Sequence, residues 1–147
     1  MVLLIFIEEE IIKVDKSLID LLKNEDEKFS KYSYFFYIEI KKVTNEKIKV
    51  IEEMFFQYKP EFVDQEFNEI RKIGENNSYI SQLIRQDSVE EFVAHINRKN
   101  ISPSSLIKPS IFETNSFLIN KNPSLIEYAA FFGSIQIFQH LIFRGAK

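Results

Sequence analysis

The chain has 147 residues, 45% apolar and 28% charged, an ordinary balance for a folded domain with a real core. Its formal net charge of −3 provides no basic surface for nucleic acid, and the lack of cysteine excludes disulfides and thiolate metal sites. With only 3 glycines, the sequence also contains none of the glycine-rich loops that bind phosphate groups.

The N-terminus is apolar from Met1 to Ile7 and then carries three glutamates. This run is too short to cross a bilayer, which requires about 20 residues. It also lacks the basic start and the small-residue cleavage site of a signal peptide. We expect a buried first helix or a strand here. In the absence of a targeting signal, the default expectation is a cytoplasmic protein that does not contact a membrane.

Helical spacing dominates the first half of the chain. Apolar residues recur three and four positions apart over Ile11–Leu22 and Glu46–Tyr58, which predicts two helices. The aromatic block Phe29–Val43 fits a helix or a strand, and we favour a helix. Pro60 suits the first turn of a further helix, and Gly74 is a suitable residue to end it.

Two shorter helices are predicted after this glycine. The first covers Ser78–Arg85. The second begins at Ser88, which has capping-box spacing to Glu91. Its apolar face is formed by Val89, Phe92, Val93 and Ile96.

A long connection follows over residues 97–122, which contain two prolines and several Asn and Ser residues. We expect short helical pieces in it near Leu106 and near Phe117. The pattern as a whole predicts an all-α protein built as an array of antiparallel helix hairpins. We divide it into a helical N-terminal region of unknown role, residues 1–74, and a C-terminal region, residues 75–147.

The most informative segment is 123–147, which reads PSLIEYAAFFGSIQIFQHLIFRGAK. Adjacent alanines let a helix approach its neighbour closely. Gly133 suits a turn with positive φ, and Gly145 can end the second helix. Ser134 can cap that second helix. Its predicted apolar positions are Ile135, Phe138, Leu141 and Ile142.

This segment resembles the ankyrin repeat, whose pattern is T-P-L-H-x-A-A-x-x-G-x-x-x-x-V-x-x-L-L-x-x-G-A. The match runs without a gap through Ala129, Ala130, Gly133, Leu141, Gly145 and Ala146. The opening departs from the pattern, because Ser124 and Glu127 stand where the family has Thr and His. These two residues have capping-box spacing and can satisfy the helix start by another route. The substitution leaves open how neighbouring repeats would be joined by hydrogen bonds.

A degenerate unit is predicted upstream of this repeat. Asp87–Ile96 can be laid over Gly133–Ile142 at an offset of 46 residues. The usual ankyrin period is about 33, so we infer an insertion between Ser102 and Asn122. The stretch from about Glu69 onwards also looks like the divergent ankyrin proteins that are expanded in certain parasitic protists.

The resemblance implies a non-catalytic scaffold or adaptor that binds another protein. We expect no catalytic residue, no metal, no cofactor, no small-molecule ligand and no nucleic acid, since His95 and His140 lack metal-ligand spacing. One alternative is a structural leader that caps a longer ankyrin array. A remote alternative is an enzyme that uses carboxylates such as Glu52 and Glu53.

A single repeat cannot bury its own apolar face. Either the N-terminal helices substitute for the missing neighbours, or the chain is the front part of a longer array, which we favour. The second case predicts an uncovered apolar face on the final hairpin.

Overall fold

A computed structural model of the chain describes residues 5–7, 9–18, 35–43 and 64–146. The chain divides into two compact units, Met1–Ile73 and Gly74–Lys147. The regular structure of the described ranges is helical and includes no strand, which confirms the all-α class. The helices are α1 (Tyr37–Val43), α2 (Asp64–Ile73), α3 (Tyr79–Arg85), α4 (Val89–Lys99), α5 (Ser116–Lys121), α6 (Leu125–Phe132) and α7 (Ile135–Phe143). None of the helices in these ranges is long and apolar enough to cross a membrane.

The N-terminal apolar run is helical over residues 5–7, but Ile5 and Phe6 are exposed, so the expected burial is wrong for them. The helix predicted from Ile11 starts later than expected. Asp15 accepts a hydrogen bond from the amide of Leu18 at 2.9 Å, and a helical segment begins directly after this aspartate. The start of this helix is therefore set by a capping side chain and not by the spacing of its apolar residues.

A buried ion pair joins α1 and α2. Two guanidinium nitrogens of Arg71 donate to the two carboxylate oxygens of Glu39, each at 2.7 Å. One of these nitrogens also donates to the carbonyl of Phe35 at 3.0 Å. The favoured helix in the aromatic block is present in its described part, and Gly74 follows α2 with a φ of 70°. The predictions for Glu46–Tyr58 and Pro60 lie outside the described residues.

The core of the second unit lies among four helices. Helix α3 packs against α4 and α6, and α7 packs against α4 and α6. The two consecutive pairs, α3–α4 and α6–α7, therefore lie side by side. Their shared core is made of Leu83, Ile84, Phe92, Ile96, Leu125, Tyr128, Ala129, Ile137 and Leu141, joined by Ile107 and Leu118 from the connection.

The turns within the two pairs are closed by the same backbone hydrogen bonds at positions 46 residues apart. In each turn one residue with positive φ donates to the carbonyl three positions earlier, and the next residue donates to the carbonyl five positions earlier. In the first turn, the amide of Asp87 donates to Ile84 and that of Ser88 donates to Leu83. In the second turn, the amide of Gly133 donates to Ala130 and that of Ser134 donates to Ala129. The offset inferred from the sequence therefore also relates the backbone of the two turns.

The connection between the pairs contains α5, as expected near Phe117. The helical piece expected near Leu106 is absent, because the backbone there pairs with the start of α6. Leu106 forms an isolated antiparallel bridge with Ser124, and the amide of Ile107 donates to the carbonyl of Pro123 at 2.8 Å.

Replacing Gly133 by valine should lower the free energy of unfolding by about 1–3 kcal/mol. Gly133 has a φ of 70°, and a Cβ atom added there would meet nothing within 4 Å. The loss therefore comes from backbone strain alone. Gly133→Asn is the matched control and should lose less, because Asn100 and Asn122 already adopt positive φ in this chain. Urea unfolding of both variants tests this, and equal stability of Gly133→Val and the wild type would contradict the assigned turn.

Candidate interaction surface

Hydrogen bonds to the turn between α3 and α4 hold the start of α7. The carboxylate of Asp87 accepts from the amides of Gln136 at 3.0 Å and Ile137 at 2.9 Å. These amides belong to the first turn of α7, where backbone donors have no partner within the helix. Ser134 was predicted to cap this helix, but its hydroxyl donates to the carbonyl of Ile84 instead. Asp87 is therefore the side chain that caps α7, and it comes from the neighbouring pair.

The predicted capping box at Ser88 and Glu91 is not formed, since the Ser88 side chain makes no capping hydrogen bond. The one predicted at Ser124 and Glu127 is present. The amide of Ser124 donates to the Glu127 carboxylate at 2.8 Å, and the amide of Glu127 donates back to the Ser124 hydroxyl at 3.4 Å. Hydrogen bonds from the backbone and then from the side chain of Ser124 lower the pKa of Glu127.

Arg85 links α3 to α6. One of its guanidinium nitrogens donates to the hydroxyl of Tyr128 at 3.0 Å and to the carbonyl of Asn76 at 2.8 Å. Its Nε atom lies 2.7 Å from the carboxylate of Glu75. Burial raises the pKa of Tyr128, although the positive charge of Arg85 opposes this effect. The tyrosine is thus neutral at physiological pH and serves as a packing and hydrogen-bonding group.

The remaining residues of the predicted motif lie at packing positions and helix ends. Ala129 and Leu141 are fully buried, whereas Ala130 is exposed. Gly145 follows α7 with a φ of 77°, and the amide of Ala146 donates to the carbonyl of Leu141 at 3.0 Å. The alanine pair therefore has one member in the core and one member on the surface.

The predicted apolar face of α7 is only partly correct. Leu141 is buried and Phe138 is half-buried, but Ile135 is 64% exposed and Ile142 is 54% exposed. Ile137, which was not predicted as a core residue, is fully buried. The spacing could not identify the buried side, because α7 carries large apolar residues around most of its circumference.

Comparison of the two pairs explains the exposed isoleucines. In the first pair, Ile84, Phe92 and Ile96 are buried in the core shared with α6 and α7. The ring of Phe92 lies 6.5 Å from that of His140 on α7. At the offset of 46, Ala130 in the second pair corresponds to Ile84, and Phe138 corresponds to Phe92. Ile142 corresponds to Ile96, and Ile135 corresponds to Val89.

We name these four residues of the second pair the open face. Within the second unit, none of the described helices covers it as α7 covers α4. Between Leu125 and Phe143 the one formally charged residue is Glu127, which the capping box already engages. A helix pair almost without charge is unusual at a solvent boundary. The open face is therefore the candidate interaction surface.

Both histidines lie against aromatic rings. His95 lies 5.0 Å from Tyr79, between ring centres, and His140 lies beside Phe92. The described ranges contain no group of three His, Asp or Glu side chains that could hold a metal ion.

Searches of the chain against protein-family models, curated proteins and solved structures gave no significant match.

Replacing Asp87 by glycine should lower the free energy of unfolding by about 1–2 kcal/mol, because the first turn of α7 loses its cap. Glycine adopts the φ of 50° at this position without strain. Amide hydrogen exchange should accelerate at Gln136 and Ile137. Asp87→Asn, which keeps one acceptor oxygen, should show a smaller effect. Unchanged exchange at both amides in Asp87→Gly would rule out this capping role.

Proposed function

We propose that the chain is a non-catalytic protein–protein interaction module of the ankyrin type, which uses the open face to bind another protein. The observation that carries the proposal is this face, an uncharged apolar surface at the end of two packed helix pairs, in which three of the four residues are exposed. Exposed apolar surfaces of this kind are typical of protein interaction sites.

The ankyrin part of the proposal is supported by matching residues and matching geometry. Gly133 and Gly145 have positive φ at the two helix ends where the repeat pattern places glycine. Ala129 and Leu141 are buried at positions that the pattern also reserves for apolar residues. The side-by-side packing of α3–α4 and α6–α7 is the arrangement expected of two adjacent helix hairpins.

A non-catalytic role agrees with how the polar side chains of the second unit are used. Asp87 caps α7, Glu127 caps α6, and Arg85 binds a backbone carbonyl and Tyr128. Each of these groups already has a structural role. The proposal includes a cytoplasmic location and no nucleic acid, membrane, cofactor or small molecule as a partner.

A capture experiment with matched surface variants tests the proposed function. The full chain is immobilised and incubated with extract of the source cell, and bound proteins are identified by mass spectrometry. We expect the wild type and Leu106→Lys to retain the same protein and Ile142→Lys to lose it. Leu106 is a suitable control because it is 61% exposed and lies outside the open face. Equal capture by all three chains, or capture by none of them, would contradict the proposal.

A second candidate function is a structural leader that caps a longer ankyrin array. It is favoured by the position of the open face, because the equivalent residues of the first pair are covered by the second pair. In this case a third helix pair encoded after Lys147 would cover Ile135 and Ile142. Sequencing the native transcript beyond the codon for Lys147 discriminates the two. Further in-frame units of about 33 residues would favour the leader, and a stop codon would exclude it.

A further inference from the structure

We infer that the open face binds the open face of a second copy of this chain, so that two α6–α7 pairs form a two-fold symmetric interface. This inference rests on the proposed function, since it names the partner of the same surface. It goes further in specifying that this partner is the chain itself.

The absence of charge on the face carries the argument. In a two-fold interface each patch meets an identical patch, so a charged residue near the axis faces a like charge. The open face consists of Ala130, Ile135, Phe138 and Ile142, and helix α7 contains no Asp, Glu, Lys or Arg. By contrast, α4 carries acidic residues in its first turn and basic residues in its last turn. Helix α7 can therefore approach its own copy without electrostatic repulsion.

The polar residues at the border of the face are also compatible with themselves. Gln136 and Gln139 are exposed on α7. A primary amide both donates and accepts hydrogen bonds, so a glutamine can pair with a glutamine from an identical surface. Phe143, at the end of the same helix, is 88% exposed and adds apolar area at the edge. A two-fold interface would thus have an apolar centre with glutamines beside it, while the charged Arg144 lies beyond Phe143 at the helix end.

The area of the face limits the strength of the association. An aromatic side chain such as Phe143 buries roughly 150–250 Å² when it is fully covered. The exposed fractions of Ile135, Ile142 and Phe143 therefore offer a few hundred Å² in each copy. A standard interface buries about 800 Å² in each partner. We accordingly expect a weak dimer that dissociates on dilution.

Analytical ultracentrifugation of the full chain over a wide concentration range tests this inference. The weight-average mass should rise with concentration from the 17.5 kDa of the monomer towards twice that value. Ile142→Lys and Ile135→Lys should each weaken the dimer by more than tenfold, because two lysines would then face each other across the axis. Leu106→Lys should leave the dimer unchanged. Added salt should not dissociate it, since no ion pair contributes.

Circular dichroism and thermal unfolding of each variant verify that its monomer is folded. A wild-type chain that stays monomeric at all concentrations would overturn the inference, as would folded lysine variants that dimerise like the wild type. Neither result decides the proposed function, because capture of a different protein through Ile142 would still support it.

Discussion

Glu39→Ala should lower the free energy of unfolding by about 3–5 kcal/mol, the range typical of breaking a buried ion pair. The side chains of Glu39 and Arg71 are 7% and 2% exposed, and each carboxylate oxygen accepts a 2.7 Å hydrogen bond. Without the carboxylate, the buried guanidinium retains the carbonyl of Phe35 as an acceptor. Among the described residues its Nε atom has no hydrogen-bond partner, so the remaining charge would be poorly compensated.

Urea unfolding of three variants separates this effect from a general effect of mutation. Glu69→Ala removes an exposed carboxylate from the same helix, α2, and should change stability by less than about 0.5 kcal/mol. The double variant Glu39→Met, Arg71→Leu replaces both charges by apolar groups and should recover most of the loss. If Glu39→Ala unfolded at the same urea concentration as Glu69→Ala, the pair would have no stabilising role.

Phe92→Ala is expected to lower the free energy of unfolding by about 3–5 kcal/mol through the cavity that it leaves. Phe92 is fully buried on α4 and its ring lies against His140 of α7. It therefore lies at the junction between the two helix pairs. Besides losing stability, this variant should expose the core between the pairs and accelerate amide exchange in both α4 and α7.

Phe143→Ala is the matched control, because it removes the same side chain from a position that is 88% exposed. Its stability should stay within about 0.5 kcal/mol of the wild type. Calorimetry or urea unfolding of both variants measures the difference. Similar losses in both would mean that Phe92 does not join the two pairs as described.

Features with local causes could be predicted from the sequence. Gly74, Gly133 and Gly145 end helices with positive φ, as their positions after apolar runs suggested. Ser124 and Glu127 form their capping box because both partners lie within one helical turn. The 46-residue offset could also be recognised, because it relates two short segments of similar pattern.

Features that depend on distant contacts could not be predicted in this way. The sequence places Asp87 only between the two predicted helices that end at Arg85 and begin at Ser88, although it caps α7 some 49 and 50 positions away. The partnership of Glu39 with Arg71 spans 32 positions in the chain. Nothing in either local sequence indicates such a partner. The sequence shows Asp87 only as an acidic residue in a predicted turn, and acidic residues are common in turns of many kinds.

The buried side of α7 shows the same limit. Apolar residues at 135, 137, 138, 141 and 142 satisfy more than one helical stripe, so several faces fit the pattern equally well. The actual orientation follows from contacts with the first pair, which fix the start of α7 through Asp87 and Ser134. The open face is what remains once Ile137 and Leu141 have been buried.

Site-specific photo-crosslinking from position 142 determines whether the open face is an interaction surface. A photoreactive amino acid replaces Ile142 in one chain and Leu106 in a control chain, and both are irradiated in extract of the source cell. We predict a discrete crosslinked product from position 142, either with a second copy or with another protein, and none from position 106. No product from position 142, or equal yields from both positions, would contradict the assignment of the open face as the interaction surface.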